Sequence, residues 1–316
     1  MKITVILCTY NRCESLAKAL KSVAASALPQ SPEWDVLVVD NNSTDQTRKV
    51  VEDFCLRCPD RFRYLFEPRQ GKSHALNAGI RQARGDVLAF MDDDVTVEPT
   101  WLQNLTAAVQ DSEWVGSGGR ILPERTFQVP KWLPHEHRYA WAHLALFDLG
   151  PQAGPLAEPP FGTNMAFQKK MFEKYGGFRT DLGPCPGSEI RNEDTEFGRR
   201  LLTAGERLRY EPSAVVYHSV SEHRIQKPYL LAWWRDKGRA DMREFGFPPG
   251  AKWSVAGIPL RMLPRLARST LRWVLALEPR SRFSNKLKTW CVVGQILECR
   301  HQSRSRRKNQ GVHSET

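Results

Sequence analysis

In its first 94 residues the chain alternates short β-branched apolar runs with stretches of helical periodicity, and few folds accept that alternation. Lys2 to Cys8, KITVILC, reads as a strand; Glu14 to Ala27 reads as a helix, with Leu16, Ala19, Leu20 and Val23 on one face. Asp35 to Val39 is a second strand, NNSTDQT a turn rich in helix-capping residues, and Thr47 to Cys58 a second helix. Phe62 to Phe66 follows as a short strand, Ser73 to Arg84 as a helix ended by Gly85, and Val87 to Met91 as a strand that delivers Asp92, Asp93 and Asp94. Strands joined through helices run parallel, so the pattern predicts an α/β fold: a mostly parallel sheet flanked by helices on both faces.

In such sheets ligands bind in the crevice at the carboxyl ends of the strands. Three predicted strand ends carry polar residues suited to one. These are Thr9, Tyr10, Asn11 and Arg12 after the first strand, Asp40 to Ser43 with Asn42 after the second, and Asp92 to Asp94 after the fourth. Each alone reads as a solvated loop or a helix cap; together on one sheet edge they point to a ligand. The aspartates resist a packing explanation most. Three like charges at the end of a buried strand repel one another and lose hydration, so they call for a cation. Mg2+ or Mn2+ suits carboxylates on a rigid strand end, with coordination positions left for phosphate oxygens.

The 316 residues, 41% apolar, suffice for one large domain with an appendage. Charge is unevenly spread. Residues 251–316 hold 14 Lys and Arg against 3 Glu, a net of +11 that equals the whole chain's, so the first 250 residues are neutral. A basic extension on a balanced body implies an anionic surface as its partner. Between Pro264 and Leu277, Arg265, Arg268 and Arg272 recur at helical spacing, out of phase with Leu266, Thr270, Val274 and Leu277. That pattern suits a helix lying on an anionic membrane; the alternative is a helix packed on the body with its arginines in water. Phe283 to Leu297 repeats it more weakly. The basic residues lie beyond the expected catalytic body and carry no nucleic-acid motif, which argues against nucleic acid as a partner. The opening KITVILCTYN lacks a signal-peptide layout and no apolar run reaches about 18 residues, so the expected location is cytoplasmic, with peripheral attachment at the inner face of the plasma membrane. Seven scattered cysteines, Cys55 and Cys58 being the one close pair, read as reduced thiols.

VILCTYNR, VVDNNSTDQT, GKSHALNAGIRQARGD, MDDDV, GTNMAFQKKMFEKYGGF and NEDTEFGRRL stand in this order along the chain. They resemble successive motifs of the family 2 glycosyltransferases, which have the GT-A fold and transfer sugars from nucleotide diphosphate donors. The resemblance covers about Ile3 to Glu222. It implies a GT-A domain over residues 1–245, with a Rossmann-like nucleotide-sugar half (1–98) and an acceptor half (99–245). A basic helical extension (246–298) and a basic disordered tail (299–316) would follow.

Carried over residue by residue, the resemblance puts Thr9 to Arg12 and Asn42 in nucleotide-contacting loops and makes Asp40 an acceptor for the base. The plain alternative for Asp40 is a turn-forming residue ahead of Asn41 and Asn42. Asp92 would sit near ribose and metal, Asp94 would be the main metal ligand, and Asp93 an alternative or support. Gly71, Lys72 and Ser73 do not make a P-loop, whose first glycine would fall at Phe66, yet Lys72 is placed to touch a phosphate. Asn77 follows Leu76 where some relatives carry an arginine. Asp194 would be the general base and Glu193 would orient it or the metal shell; otherwise a carboxylate here is a favourable partner of a helix dipole, with Phe197, Leu201 and Leu202 facing the core. His218, after AVVY, would be a metal or diphosphate ligand or else structural. Trp233 and Trp234 read as aromatic packing or as an acceptor platform.

One base and one metal-stabilised leaving group imply a single displacement with inversion. The chain lacks the Gln-x-x-Arg-Trp pattern of processive synthases, so transfer of one or a few sugars is expected. The implied function is inverting transfer from a nucleotide-diphosphate sugar, a UDP-sugar foremost, to a saccharide or lipid-linked acceptor in polysaccharide or glycolipid synthesis. The alternatives are a metal-dependent nucleotidyltransferase and a non-catalytic sugar-nucleotide-binding protein.

Overall fold

The computed structural model describes residues 1–26, 33–110, 113–133, 141–246, 254, 255 and 257–312. Parts of the expected first helix (Ala27) and of the basic extension and tail (247–253, 256 and 313–316) lie outside the described residues. The chain forms two compact units: Met1–Thr126, Leu144–Pro186 and Glu193–Val220 make the first, and Phe127–His143, Gly187–Asn192 and Ser221–Thr316 the second.

The first unit holds the sheet. Its elements are β1 (Lys2–Thr9), α1 (Cys13–Ala24), β2 (Glu33–Asp40), α2 (Thr47–Arg57), β3 (Phe62–Phe66), α3 (Lys72–Gln82), β4 (Val87–Asp92), β5 (Val95–Val97), α4 (Trp101–Ala107), β6 (Gly116–Pro123), β7 (Gly154–Pro155), β8 (Asn164–Gln168), α5 (Lys169–Tyr175), α6 (Glu193–Thr203) and β9 (Leu208–His218). The strands lie in the order β3-β2-β1-β4-β8-β6-β9-β5, with β7 on β9. The expected parallel pairing holds for β3, β2, β1 and β4. β1 is central, and Ile3, Val5, Ile6 and Leu7 are buried on both of its faces, as a continuous apolar run requires. Beyond β4 the sheet is mixed: β8 runs antiparallel to β4 and β6, while β6 and β9 pair in parallel.

Register decides where the polar strand ends fall. Thr9 pairs with Asp40 and Cys8 with Asp92, so the ends of β1, β2 and β4 share one edge. β9 brings His218 opposite Val95, one residue beyond Asp94. Behind β4, Phe90, Phe167, Phe172, Phe178 and Phe197 form an aromatic cluster, with Phe172 and Phe197 stacked at 4.3 Å. Phe197 and Leu201 thereby anchor α6; Leu202, expected in the core, is only half-buried.

The second unit is helical: α7 (Lys227–Phe245), α8 (Met262–Leu275) and α9 (Pro279–Val312). Two boundaries move. The domain end expected at Phe245 falls near Val220, because α7 packs within this unit, and the tail expected to be disordered from residue 299 is helical to Val312, with Cys299 fully buried. Leu133, Leu230, Phe283 and Leu287 form a core on which Trp132, Trp141, Leu231 and Trp234 pack. Trp234 is thus a packing residue, and Trp233 lies edge-on to it and to the buried His143. Arg239 and Arg243 of α7 neutralise the buried Glu298 of α9. All seven cysteines are free thiols.

The crossing of α7 and α9 depends on two glycines. A Cβ at Gly238 would lie 1.9 Å from the Cys291 carbonyl oxygen, and one at Gly294 1.8 Å from that of Arg235. Backbone cannot rotate aside as a side chain can. Gly294→Ala is therefore expected to lower thermal stability by roughly 1–3 kcal/mol or more through overpacking, against the gain of about 1 kcal/mol that alanine brings to a helix interior. Calorimetric melting checks it; a melting temperature at or above the parent's would show that the helices part without cost.

Candidate active site

The loops after β1 and β2 are locked together by their own polar side chains. Asn11 adopts φ 51°, and its side-chain oxygen accepts the Thr44 N–H at 2.7 Å, while its own N–H donates to Ser43 Oγ. Asp45 accepts the N–H groups of Cys13 and Thr47, which ties this loop to the starts of α1 and α2. Burial opposes its charge, but these hydrogen bonds prevail and draw its carboxyl down to about 2. Asp40 is buried; it accepts the Ser43 N–H at 2.9 Å and the Tyr64 hydroxyl at 2.8 Å. Burial first, then this carboxylate, push the Tyr64 phenol well above its ordinary range. Tyr10 and Asn42 stand exposed at the same edge, Asn42 at φ 68°. Asn41, which sequence reasoning passed over, does the most to shape the rim: it donates to the carbonyls of Glu67 and Arg69 and accepts the Gly71 N–H.

The aspartate cluster is answered by the chain's own cations. Lys72, at the start of α3, donates to Asp92 Oδ1 at 2.5 Å and lies 3.8 Å from Glu193; Arg12 bonds Asp93 and Asp94 at 3.0 Å each. Thr9 donates to Asp93 and Thr163 to Asp92, both at 2.7 Å. Burial opposes charge on Lys72, yet Asp92, Glu193 and Asp194 around it hold its pKa above the usual range. Burial also works against Asp92, but the Lys72 ammonium keeps its carboxyl below the ordinary value. For Asp93 burial wins over Arg12 and pushes the carboxyl up to about 6. Asp92 and Asp93 thus differ in protonation chemistry: Asp92 is held ionised and Asp93 is drawn toward its acid form.

Asp94 accepts from Arg12 through Oδ2, and its Oδ1 lies 3.5 Å from Nε2 of His218. His218 is buried at the end of β9. A carboxylate and an imidazole converging at a strand end are donors that suit a divalent cation, and the nitrogen favours Mn2+ over Mg2+. Among the described residues, no three His, Cys, Asp or Glu side chains are grouped so that they could hold a metal ion by themselves. Asp92 is engaged by Lys72 and Thr163.

Glu193 and Asp194 open α6, where the helix dipole favours carboxylates. Asn192 precedes them at φ 82°. Asp194 accepts the Gly162 N–H at 2.6 Å and the Thr195 N–H at 2.7 Å, so both its oxygens are oriented by backbone donors. Glu193 is buried beside Lys72. Of the expected residues, Asn77 alone turns away from the site. It accepts the Phe178 N–H and donates to the Phe178 carbonyl, clamping the loop after α5. Thr163 was missed by sequence reasoning. Its signal was the polar GTN ahead of the apolar MAF run, which becomes the start of β8, but nothing along the chain indicates that β8 runs antiparallel and so begins at the ligand edge.

A nucleotide-type β1–β4 half, an antiparallel β8 beside β4, and carboxylates gathered at one sheet edge define a GT-A glycosyltransferase. The chain belongs to glycosyl transferase family 2, whose family model matches residues 4–176. It is 28% identical over 242 residues to the glucosyl-dolichyl phosphate glucuronosyltransferase of Haloferax volcanii, covering 73% of each chain. It is likewise 28% identical over 241 residues to the succinoglycan biosynthesis protein ExoM of Rhizobium meliloti, covering 74% of this chain and 70% of that one. Among solved structures, the mannosyltransferase PcManGT of Pyrobaculum calidifontis, in complex with GDP-Man and Mn2+, superposes with a TM-score of 0.63 at 20% identity, over 94% of this chain and 86% of that one. Residues 1–349 of S. aureus TarS with UDP-GlcNAc give 0.54 at 17% identity, over 98% and 92%. At these identities the two structures speak for the fold.

Proposed function

We infer that this chain transfers a sugar, with inversion, from a nucleotide-diphosphate donor to a hydroxyl of a saccharide or lipid-linked acceptor in polysaccharide or glycolipid assembly. The observation that carries the reading is Asp194, a carboxylate held by two backbone N–H groups within the field of Lys72. Asp194 takes the proton of the acceptor hydroxyl as its oxygen bonds the anomeric carbon and the bond to the donor diphosphate breaks. Glu193 and Lys72 hold that end of the site. Asp94 and His218 would hold a divalent cation, which supplies charge neutralisation for the departing nucleoside diphosphate. Asp40 and the loop at Thr9–Arg12 take the nucleotide, where an ionised carboxylate serves as acceptor for a base N–H. A UDP-sugar remains our proposed donor, although among the solved relatives one holds GDP-Man and another UDP-GlcNAc.

The test is a panel of UDP-, GDP- and dTDP-sugars incubated with purified protein, with and without Mn2+. We expect one class to raise the melting temperature in a Mn2+-dependent way and to release intact nucleoside diphosphate on addition of acceptor. Pyrophosphate release would indicate nucleotidyl transfer, and binding without turnover across the acceptor panel a sugar-nucleotide-binding protein.

A further inference from the structure

Among the described residues, no helix is long and apolar enough to cross a membrane, yet α8 leaves much apolar surface uncovered. With 3.6 residues per turn, the helix divides into three faces. Met262, Leu266, Ser269 and Trp273 occupy about 60° of arc; Met262 packs in a core with Met242 and Cys299, and Trp273 edge-on against Trp290 of α9. Arg261, Arg265, Arg268 and Arg272 occupy a second arc of about 60°. Leu263, Leu271, Val274 and Leu275 fall on the third face, and Leu271, Val274 and Leu275 are 57%, 58% and 65% exposed, with Leu277 beyond them at 97%. This revises the sequence expectation: Leu266 and Thr270 are half-buried, and the exposed apolar stripe is Leu263, Leu271, Val274 and Leu275.

The cationic face is exposed and borders an open groove. Arg261, Arg265, Arg268 and Arg272 line a cavity of about 720 Å³ together with Lys288 of α9, and none of its lining residues is acidic. Among the described residues, none of the five cations forms an ion pair with a carboxylate, although Arg239 and Arg243 of the same unit do. The volume lies in the range of small-molecule sites, about 300–1,000 Å³, large enough for a phosphate and part of the group it is joined to. Five cations around one cavity recognise a dianionic phosphate better than a single diffuse charge.

We propose that the α8–α9 cavity is a phosphate-headgroup site, and that α8 docks on an anionic bilayer with its apolar stripe in the interface and a lipid phosphomonoester held by Arg265, Arg268, Arg272 and Lys288. The occupant is a lipid surface rather than a soluble phosphate, because the stripe flanks the cavity on the same helix and needs an apolar cover. The assignment is independent of the reaction proposed above and can fail without it.

The experiment uses the full chain and vesicles of phosphatidylcholine alone, with phosphatidylglycerol, or with phosphatidic acid, the last two matched in surface potential. Phosphatidic acid vesicles are expected to bind most tightly and phosphatidylcholine least. Inorganic pyrophosphate should compete for the phosphatidic acid vesicles. High salt should weaken binding without abolishing it, because burial of the stripe is not screened. Removing three cations near an anionic surface costs on the order of five-fold each, so Arg265→Gln, Arg268→Gln and Arg272→Gln together should lower affinity about 100-fold. Leu271→Asn with Val274→Asn should remove the salt-resistant part. Circular dichroism and donor-dependent melting confirm that both variants are folded. Equal binding to the two anionic vesicles would overturn the headgroup site in favour of diffuse surface charge. Pyrophosphate binding that the triple arginine variant loses, in a protein that ignores all vesicles, would overturn the membrane occupant, and a triple variant that binds vesicles like the parent would overturn the cavity itself.

Discussion

Asp194→Asn is expected to lower sugar transfer by about 100- to 10,000-fold, the contribution of a well-placed general base, while donor affinity stays near that of the parent. The amide has nearly the volume of the carboxylate, so α6 and its buried Phe197 and Leu201 should remain packed. It can still accept the Thr195 N–H through one oxygen, but it cannot take a proton from the acceptor. Single-turnover transfer and nucleotide-sugar dissociation constants, measured on the same preparation, separate the two effects. Normal turnover would move the base elsewhere, with the buried Glu193 next to be tested. A loss of donor binding in parallel with transfer would instead make Asp194 a binding residue.

The second large effect is expected at Asp94. Asp94→Asn removes one charge at little cost in volume, and Arg12 retains its bond to Asp93. Changing a residue that merely orients a metal ligand typically costs 10- to 100-fold in metal affinity, so a direct ligand should cost on the order of 100-fold or more in Mn2+-dependent nucleotide binding. Binding measured in excess EDTA should then be the same for parent and variant. An unchanged Mn2+ dependence would reject Asp94 as a ligand and return the question to Asp92. That residue is expected to behave differently: Asp92→Asn takes from the half-buried Lys72 its one directly bonded carboxylate, leaving the more distant Glu193 and Asp194, and so should destabilise the site even without metal.

Much of the first unit was legible before any coordinates. β1, α1, β2, α2, β3, α3 and β4 lie within a few residues of their sequence-derived spans, because each carries its own periodicity: two for strands, 3.6 for helices. The later strands were harder. β8 and β6 interleave out of chain order, and the antiparallel turn of β8 left no local mark. Asn77 shows the same limit on the side of function. Its place in a family motif suggested a ligand, but its amide matches the Phe178 backbone 101 residues away, a partner that only folding supplies.

What the sequence by itself determined was that three aspartates end a buried strand on an edge shared with Thr9 and Asp40, and that a cation must answer them; burial and like charge dictate this from composition and order alone. Which cation answers each aspartate was decided only in three dimensions. Lys72 reaches Asp92 across 20 residues, and Arg12 reaches Asp93 across 81 and Asp94 across 82, with His218 on the other side of Asp94. In the second unit, likewise, the sequence determined that α8 is basic and amphipathic, but its apolar residues were enough for two faces. Only packing against its neighbours chose which were buried, because a helix buries the face that complementary partners can cover and leaves the other to whatever the molecule meets.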